Sequence, residues 1–137
     1  MKIDLRELIN AIESCGDEDA FFYNKVSGEI VYLSDYSLSG VDYSELSDEI
    51  EDTDNYIALP SKYDRHDHQI MKSFIFTIED EKTSIILLQA ISRHGAFRNF
   101  KELIYYFEIV DEWYKFQQET YKKIALDWCH CNNITWV

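Results

Sequence analysis

Proline occurs once in this 137-residue chain and glycine four times, which leaves little room for long flexible loops. Cysteine is also scarce. Cys15, Cys129 and Cys131 make an odd count with two of them only two positions apart. That is a poor disulfide framework and points to a reducing compartment. No stretch approaches the roughly 18 apolar residues of a membrane span. The N-terminus opens on a charged helical pattern without a signal-peptide core, so the expected location is the cytoplasm. Positive charge is short too: 13 Lys and Arg stand against 26 Asp and Glu, a formal net charge of −13. Bulk charge of this sign opposes non-specific binding to nucleic acid or anionic lipid. A Gly-x-Ser-x-Gly nucleophile elbow and a glycine-rich phosphate loop are both missing.

What is present is enough for a real core. Hydrophobic residues make up 46% and aromatic residues 15%, which excludes a wholly disordered chain. The length is most simply one domain, 1–137. The charge is unevenly spread. Met1 to Tyr63 holds 15 acidic and 4 basic residues, a net of −11, whereas Asp64 to Val137 holds 11 and 9, a net of −2.

The periodicity predicts an α+β domain. Leu5, Leu8, Ile9 and Ile12 recur at helical spacing, with Asp4 and Glu7 placed as a capping box and Gly16 as a left-handed stop. Phe21-Phe22-Tyr23 and Ile30-Val31-Tyr32-Leu33 are β-rich and flank turn residues, so a hairpin is expected with Gly28 at positive φ. Residues 34–55 form an acidic connection without Lys or Arg. Tyr56 to Leu59 reads as a short strand closed by Pro60. From there to 134 the pattern is a bundle of about four helices. The first is capped by Asp64, with a stripe of Ile70, Met71, Phe74, Ile75 and Ile78. Ile85, Ile86, Leu88, Gln89 and Ile91 predict a strongly buried second helix. Phe97, Phe100, Ile104 and Phe107 predict a third. Asp111 opens the last, with Trp113, Phe116, Thr120, Ile124, Trp128 and Cys131 as its stripe.

Chemistry-bearing residues form weak constellations. Asp64, His66 and His68 lie close in the chain, as do Cys129, His130 and Cys131. Neighbours two apart on a helix point to nearly opposite sides, so neither set converges on one metal. Cys15 stands among acidic residues, a field that raises a thiol pKa. Neither a metal, a cofactor nor a catalytic residue is therefore expected, and the protein is read as no enzyme. An enzyme of unknown reaction, with a site assembled from residues such as Asp64, His68 and His94, is the least favoured alternative. The basic corner is more informative. Arg93, His94, Gly95, Phe97, Arg98 and Lys101 gather cations and rings where a helix begins, a setting that suits an anion such as a nucleotide.

A family resemblance adds to this reading. Tyr56-Ile57-Ala58-Leu59-Pro60, then Asp64, His66, Ile70-Met71 and Phe74-Ile75, resembles the central block of Uncharacterised Protein Family 0158. Ala90-Ile91 followed by Gly95-Ala96-Phe97-Arg98 and Phe100-Lys101, and Trp113-Tyr114 with Phe116, Ile124 and Trp128, are similar to its later blocks. The chain departs from that pattern at Arg93, Gln117 and Cys129. The resemblance implies a small bacterial or phage-borne cytosolic α+β protein and implies no activity.

The leading expectation is a non-catalytic acidic binding or regulatory protein that works through protein contacts. Asp35, Asp42, Glu45, Asp48, Glu49, Glu51, Asp52 and Asp54 would meet a partner's basic surface, as in an inhibitor or a nucleic-acid mimic. The alternative is a binder or sequestering protein for an anionic small molecule at the Arg93–Lys101 corner. No direct nucleic-acid or membrane partner is expected. Tyr105, Tyr106, Tyr114, Tyr121 and Trp113 leave two alternatives open: a homodimer interface, where aromatics are enriched, or completion of the core of a single chain.

Overall fold

The computed structural model describes residues 2–16, 19–34 and 54–137. The described elements are β1 (Lys2–Ile3), α1 (Leu5–Ser14), β2 (Asp19–Asn24), β3 (Ile30–Ser34), β4 (Tyr56–Ala58), α2 (Lys62–Arg65), α3 (Asp67–Ile75), α4 (Glu81–Ile91), α5 (Ala96–Tyr106), α6 (Val110–Cys131) and β5 (Thr135–Trp136). This is the expected α+β arrangement, an N-terminal helix and strands followed by a helical region. The chain divides into two compact units, Met1–Arg65 with Tyr121–Val137, and His66–Thr120.

The first unit starts with α1. The Asp4 carboxylate accepts from the backbone N–H groups of Arg6 and Glu7 at 2.9 and 3.2 Å, which satisfies two of the helix's orphan donors. Leu8, Ala11 and Ile12 then face the core. The helix ends where expected but by another device. Cys15 is extended, and Gly16 is not among the positive-φ glycines of the described residues, Gly28 and Gly95. The Asp19 carboxylate instead takes the Gly16 N–H at 3.0 Å. A β-carbon on Gly16 would lie 3.1 Å from that same oxygen, so a larger residue would push the Asp19 carboxylate back by a few tenths of an ångström.

Strands β2 and β3 pair antiparallel, from Asp19↔Ser34 to Tyr23↔Ile30. The turn between them is closed by Asn24, whose side-chain oxygen accepts from Val26 and Ser27, and by Gly28 at φ 77°. Strand β4 joins the other side of β2, giving the order β3-β2-β4. Trp128 on the last part of α6 donates its indole N–H to Ala58 at 2.9 Å and meets Tyr23 edge-on at 6.2 Å. A parallel pair not foreseen from the sequence, β1 with β5, joins Lys2 to Thr135 and Ile3 to Trp136. Strands of two residues have no period to read.

Arg65 is the one buried cation of this unit among the described residues, 7% exposed. Its Nη1 donates to the carbonyls of Ile12 at 2.7 Å and Glu13 at 2.9 Å, at the end of α1. Its guanidinium lies 5.8 Å from the Tyr121 ring centroid. Helix α2, which carries it, is a single turn closed by reciprocal bonds: Ser61 N–H and Oγ–H donate to the Asp64 carboxylate, and Asp64 N–H donates to Ser61 Oγ. Asp64 therefore sits inside this turn and, contrary to expectation, does not cap the following helix, whose N-cap is His66. His66, left-handed at φ 54°, breaks the chain before α3.

In the second unit α3, α4, α5 and the first part of α6 enclose an aromatic core. Phe74, Phe100 and Trp113 are buried. Phe100 and Trp113 meet at 4.7 Å and Phe74 and Trp113 at 5.4 Å, both edge-to-face, the geometry ring quadrupoles favour. Phe116 packs on Phe74 at 5.5 Å. Two stripes differ from expectation. Helix α3 stops at Ile75, because the Phe74 carbonyl is taken by Thr77 Oγ1 at 2.6 Å, so Ile78 lies beyond it. In α6 the buried positions are Trp113, Tyr121, Ala125 and Cys129. Steps of four residues carry the face away from Cys131, which is exposed.

Trp113→Ala should lower the unfolding free energy by about 3–5 kcal/mol, the usual cost of emptying an aromatic site in a core. Tyr105→Ala, at a 63% exposed position, should change it by less than about 0.5 kcal/mol. Urea titration followed by tryptophan fluorescence and circular dichroism compares the two.

Candidate functional site

The basic corner lies at the junction of α4 and α5 in the second unit. Helix α4 ends at Ile91 with Ser92 as C-cap, and Ser92 Oγ–H returns to the Gln89 carbonyl at 2.7 Å. Gly95 then takes φ 75° and starts α5. Nothing lies within 4 Å of where its β-carbon would be, so the glycine is needed for backbone conformation alone. Asn99 fastens the corner. Its side-chain amide donates to the carbonyls of Ala90 at 3.4 Å and His94 at 3.3 Å.

The cations of this corner divide between two places. Arg93 lines an open groove of about 450 Å³ with Ala90, Asn99, Glu102, Leu103 and Tyr106. Phe97, Arg98 and Lys101 are not part of that lining. Arg98 pairs with Glu102 one turn on at 3.6 Å, with both side chains largely exposed, an arrangement that contributes little to stability. Lys101 Nζ lies 5.2 Å from the centroid of the Phe97 ring, a cation–π contact. Phe100, the other ring of the motif, is wholly buried. His94 is exposed beside Gly95. The groove therefore offers one guanidinium, one carboxylate, one amide and one phenol. Asn99, Glu102 and Tyr106 were not singled out in the sequence, although their spacing of three and four puts them on one side of α5.

The acidic residues Asp35, Asp42, Glu45, Asp48, Glu49, Glu51 and Asp52 lie outside the described residues. Asp54 is at an exposed turn before β4. Of the aromatic residues left open between a dimer interface and the core, Tyr105, Tyr106 and Tyr114 are exposed, whereas Tyr121 and Trp113 are 3% and 1% exposed. These two are core residues of their own units, because they fall on the buried face of α6.

Among the described residues no three His, Cys, Asp or Glu side chains are grouped so as to hold a metal ion. His68 Nε2 is 2.8 Å from the Ile91 carbonyl oxygen, and Asp64 is engaged with Ser61. Cys129 is buried and Cys131 exposed, as expected for positions two apart on a helix. Burial is the largest influence on Cys15 and pushes its thiol pKa up. The Lys62 backbone N–H and the Arg65 charge act the other way, and Asp19 and Asp64 add a smaller upward push. Burial likewise raises Cys129. Among the described residues no helix is long and apolar enough to cross a membrane.

These thiols give a test. At pH 8 a disulfide reagent should titrate Cys131 rapidly and reach Cys15 and Cys129 only on unfolding, since thiolate is the reactive form. A thiol whose pKa is raised by folding favours the folded state while it stays protonated. That contribution is complete below the unfolded value of about 8.5 and is lost as pH climbs from there through the raised folded value. Unfolding free energy should accordingly fall above about pH 8.5, and Cys15→Ser with Cys129→Ala should flatten the fall.

Residues 1–137 match the family described as Uncharacterised protein family (UPF0158). The chain is 25% identical over 136 residues to the UPF0158 protein PA5073 of Pseudomonas aeruginosa, covering 98% of this chain and 85% of that protein. No solved structure matches it. A match that spans every residue places the chain in that family: it belongs to Uncharacterised protein family (UPF0158).

Proposed function

We propose that the protein is a non-catalytic, cytoplasmic binding or regulatory protein that acts through protein–protein contacts. Its carboxylate-rich segment, 34–55, meets a basic surface on the partner. The observation that carries this reading is the charge map, a net of −11 before Asp64 against −2 after it. Concentrated charge of one sign draws an opposite surface from a distance and speeds docking. Where the partner is itself a nucleic-acid-binding protein, the carboxylates stand in for phosphates and the protein works as an inhibitor. The described surface agrees with work done by contact: Tyr63, Phe76, Tyr105 and Tyr106 are each more than 60% exposed.

A second reading is favoured by the groove at Arg93. A guanidinium beside an amide and a phenol, with the groove's one carboxylate, Glu102, paired to Arg98, suits an anionic small molecule such as a nucleotide. It predicts that a nucleotide panel raises the melting temperature of the wild-type protein and that Arg93→Ala removes the shift.

The leading reading is tested by affinity capture from lysate at about 50 mM and 300 mM salt. A partner recovered at the lower concentration should be lost at the higher one. Replacing Asp48, Glu49, Glu51 and Asp52 with Asn or Gln should weaken its capture at least tenfold. Capture that ignores both salt and these replacements contradicts the reading.

A further inference from the structure

Helix α4 buries Thr83, Leu87, Ala90 and Ile91 inside the unit, at the spacing of a single core-facing stripe. Ile85 and Ile86, expected from the sequence to be buried, are off that stripe and are instead 48% and 42% exposed. The end of the helix is more specific in its chemistry. With α5 it forms the groove lined by Ala90, Arg93, Asn99, Glu102, Leu103 and Tyr106. Its volume of about 450 Å³ lies in the range of small-molecule sites.

Asn99 sets the hydrogen-bonding character of this groove. Its side-chain nitrogen donates to the carbonyls of Ala90 and His94. A carbonyl only accepts, so the amide cannot turn round without losing both bonds. What Asn99 offers a ligand is therefore its oxygen. Glu102, three residues on, brings a second acceptor. Its Oε1 meets Arg98 at 3.6 Å, and a carboxylate keeps further lone pairs on its other oxygen. Arg93, exposed in the groove, supplies donors. Leu103 and the ring of Tyr106, 79% exposed, add apolar surface on the same side of α5.

This combination discriminates between ligands. A bare phosphate or carboxylate satisfies Arg93 but sets its own acceptors against those of Asn99 and Glu102. A matching ligand carries adjacent donors on one edge, adjacent acceptors on another, and a flat ring for Tyr106. Among the common bases guanine has this pattern. Its N1–H and N2–H₂ lie side by side as donors, and its O6 and N7 side by side as acceptors. The amino group of adenine is flanked by ring acceptors, the N3–H of uracil lies between two carbonyls, and the amino group of cytosine stands next to the N3 acceptor.

We propose that the groove binds a guanine base. N1–H and N2–H₂ donate to Asn99 Oδ1 and the Glu102 carboxylate. Arg93 donates to O6 and N7, the pairing a guanidinium commonly makes with guanine, and the Tyr106 ring stacks on the base. The ligand is a guanine nucleoside or mononucleotide, since a net charge of −13 opposes a polynucleotide. The inference rests on the reading of this groove as a nucleotide site and adds which base it takes and through which atoms.

NMR titration of the isotope-labelled full chain, followed at the groove's backbone amides and the Asn99 side-chain amide, reads site and affinity together. Guanosine should bind with a Kd of about 0.1–1 mM, because an open groove encloses little of its ligand. GMP should match guanosine within about threefold, and AMP and UMP should bind about tenfold or more weakly. Glu102→Lys, at an exposed position, should leave circular dichroism unchanged. It should weaken guanosine about tenfold or more, because it sets a donor against N1–H, whereas an anion held by charge alone would bind more tightly. AMP, UMP or ribose 5-phosphate binding as tightly as GMP overturns the proposal and leaves the nucleotide site standing. So does guanosine binding more than about tenfold weaker than GMP, or guanosine binding undiminished by Glu102→Lys. Groove resonances that none of these compounds moves at up to about 5 mM overturn both the proposal and the nucleotide site.

Discussion

The buried guanidinium of Arg65 is the constraint on which the N-terminal unit depends. Helix α1 has no basic residue in its last turn, so its closing carbonyls and the negative end of its dipole need a donor from elsewhere. Arg65, more than fifty residues away, supplies it at Ile12 and Glu13. Charge-assisted bonds of this kind are stronger than neutral ones. Burial raises the stakes further, since a cation taken from water must be compensated where it lands. The Tyr121 ring gives its face to the same group. One side chain thus ties the end of α1, the single turn of α2 and the second part of α6, three segments that are remote in sequence.

This interaction explains the form of the surrounding chain. Helix α2 is too short to stand on its own propensity, so its turn is locked by the Ser61–Asp64 exchange and its last residue is anchored on α1. The left-handed His66 then redirects the chain into α3. Cys15 lies next to the same knot, where burial outweighs the pull of Arg65 and keeps the thiol protonated. In the other unit the aromatic cluster of Phe74, Phe100, Trp113 and Phe116 holds the helices, and the corner between α4 and α5 is pinned by Asn99. There the cations are spread over the surface: Arg98 on Glu102, Lys101 on Phe97 and Arg93 in the groove.

Local signals were readable in the residues. The Asp4 cap, the Asn24–Gly28 turn and the Gly95 start of α5 each depend on a few neighbours, and each occurs as their side chains require. The α+β class and the different faces taken by Cys129 and Cys131 followed from period alone. What escaped was non-local or two-sided. A charged residue in a helical pattern reads as solvated, so nothing marked Arg65 as buried. The β1–β5 pair joins the two ends of the chain through strands too short to show a period. Ile85 and Ile86 were expected inside because composition reports hydrophobicity but not which face meets the core. Trp113 was rightly placed in the stripe of the last helix, but Tyr121, Ala125 and Cys129 were missed from it for want of the register of α6, whose buried face runs through 113, 121, 125 and 129. In the candidate site, Arg93 was foreseen, while Asn99, Glu102 and Tyr106 emerged only once the helix face was fixed.

Arg65 ties the N-terminal unit together, and urea unfolding of Arg65→Met tests this most directly. Methionine keeps the hydrophobic stem and removes the donor, leaving the buried Ile12 carbonyl and the part-buried Glu13 carbonyl without it. The unfolding free energy should fall by about 2–4 kcal/mol, and Arg65→Lys should recover less than half, because the shorter stem and the compact, strongly hydrated ammonium match neither the reach of Nη1 to the two carbonyls nor the guanidinium's plane over Tyr121. A methionine variant that unfolds at the same urea concentration as the wild type would contradict the central place given to this residue.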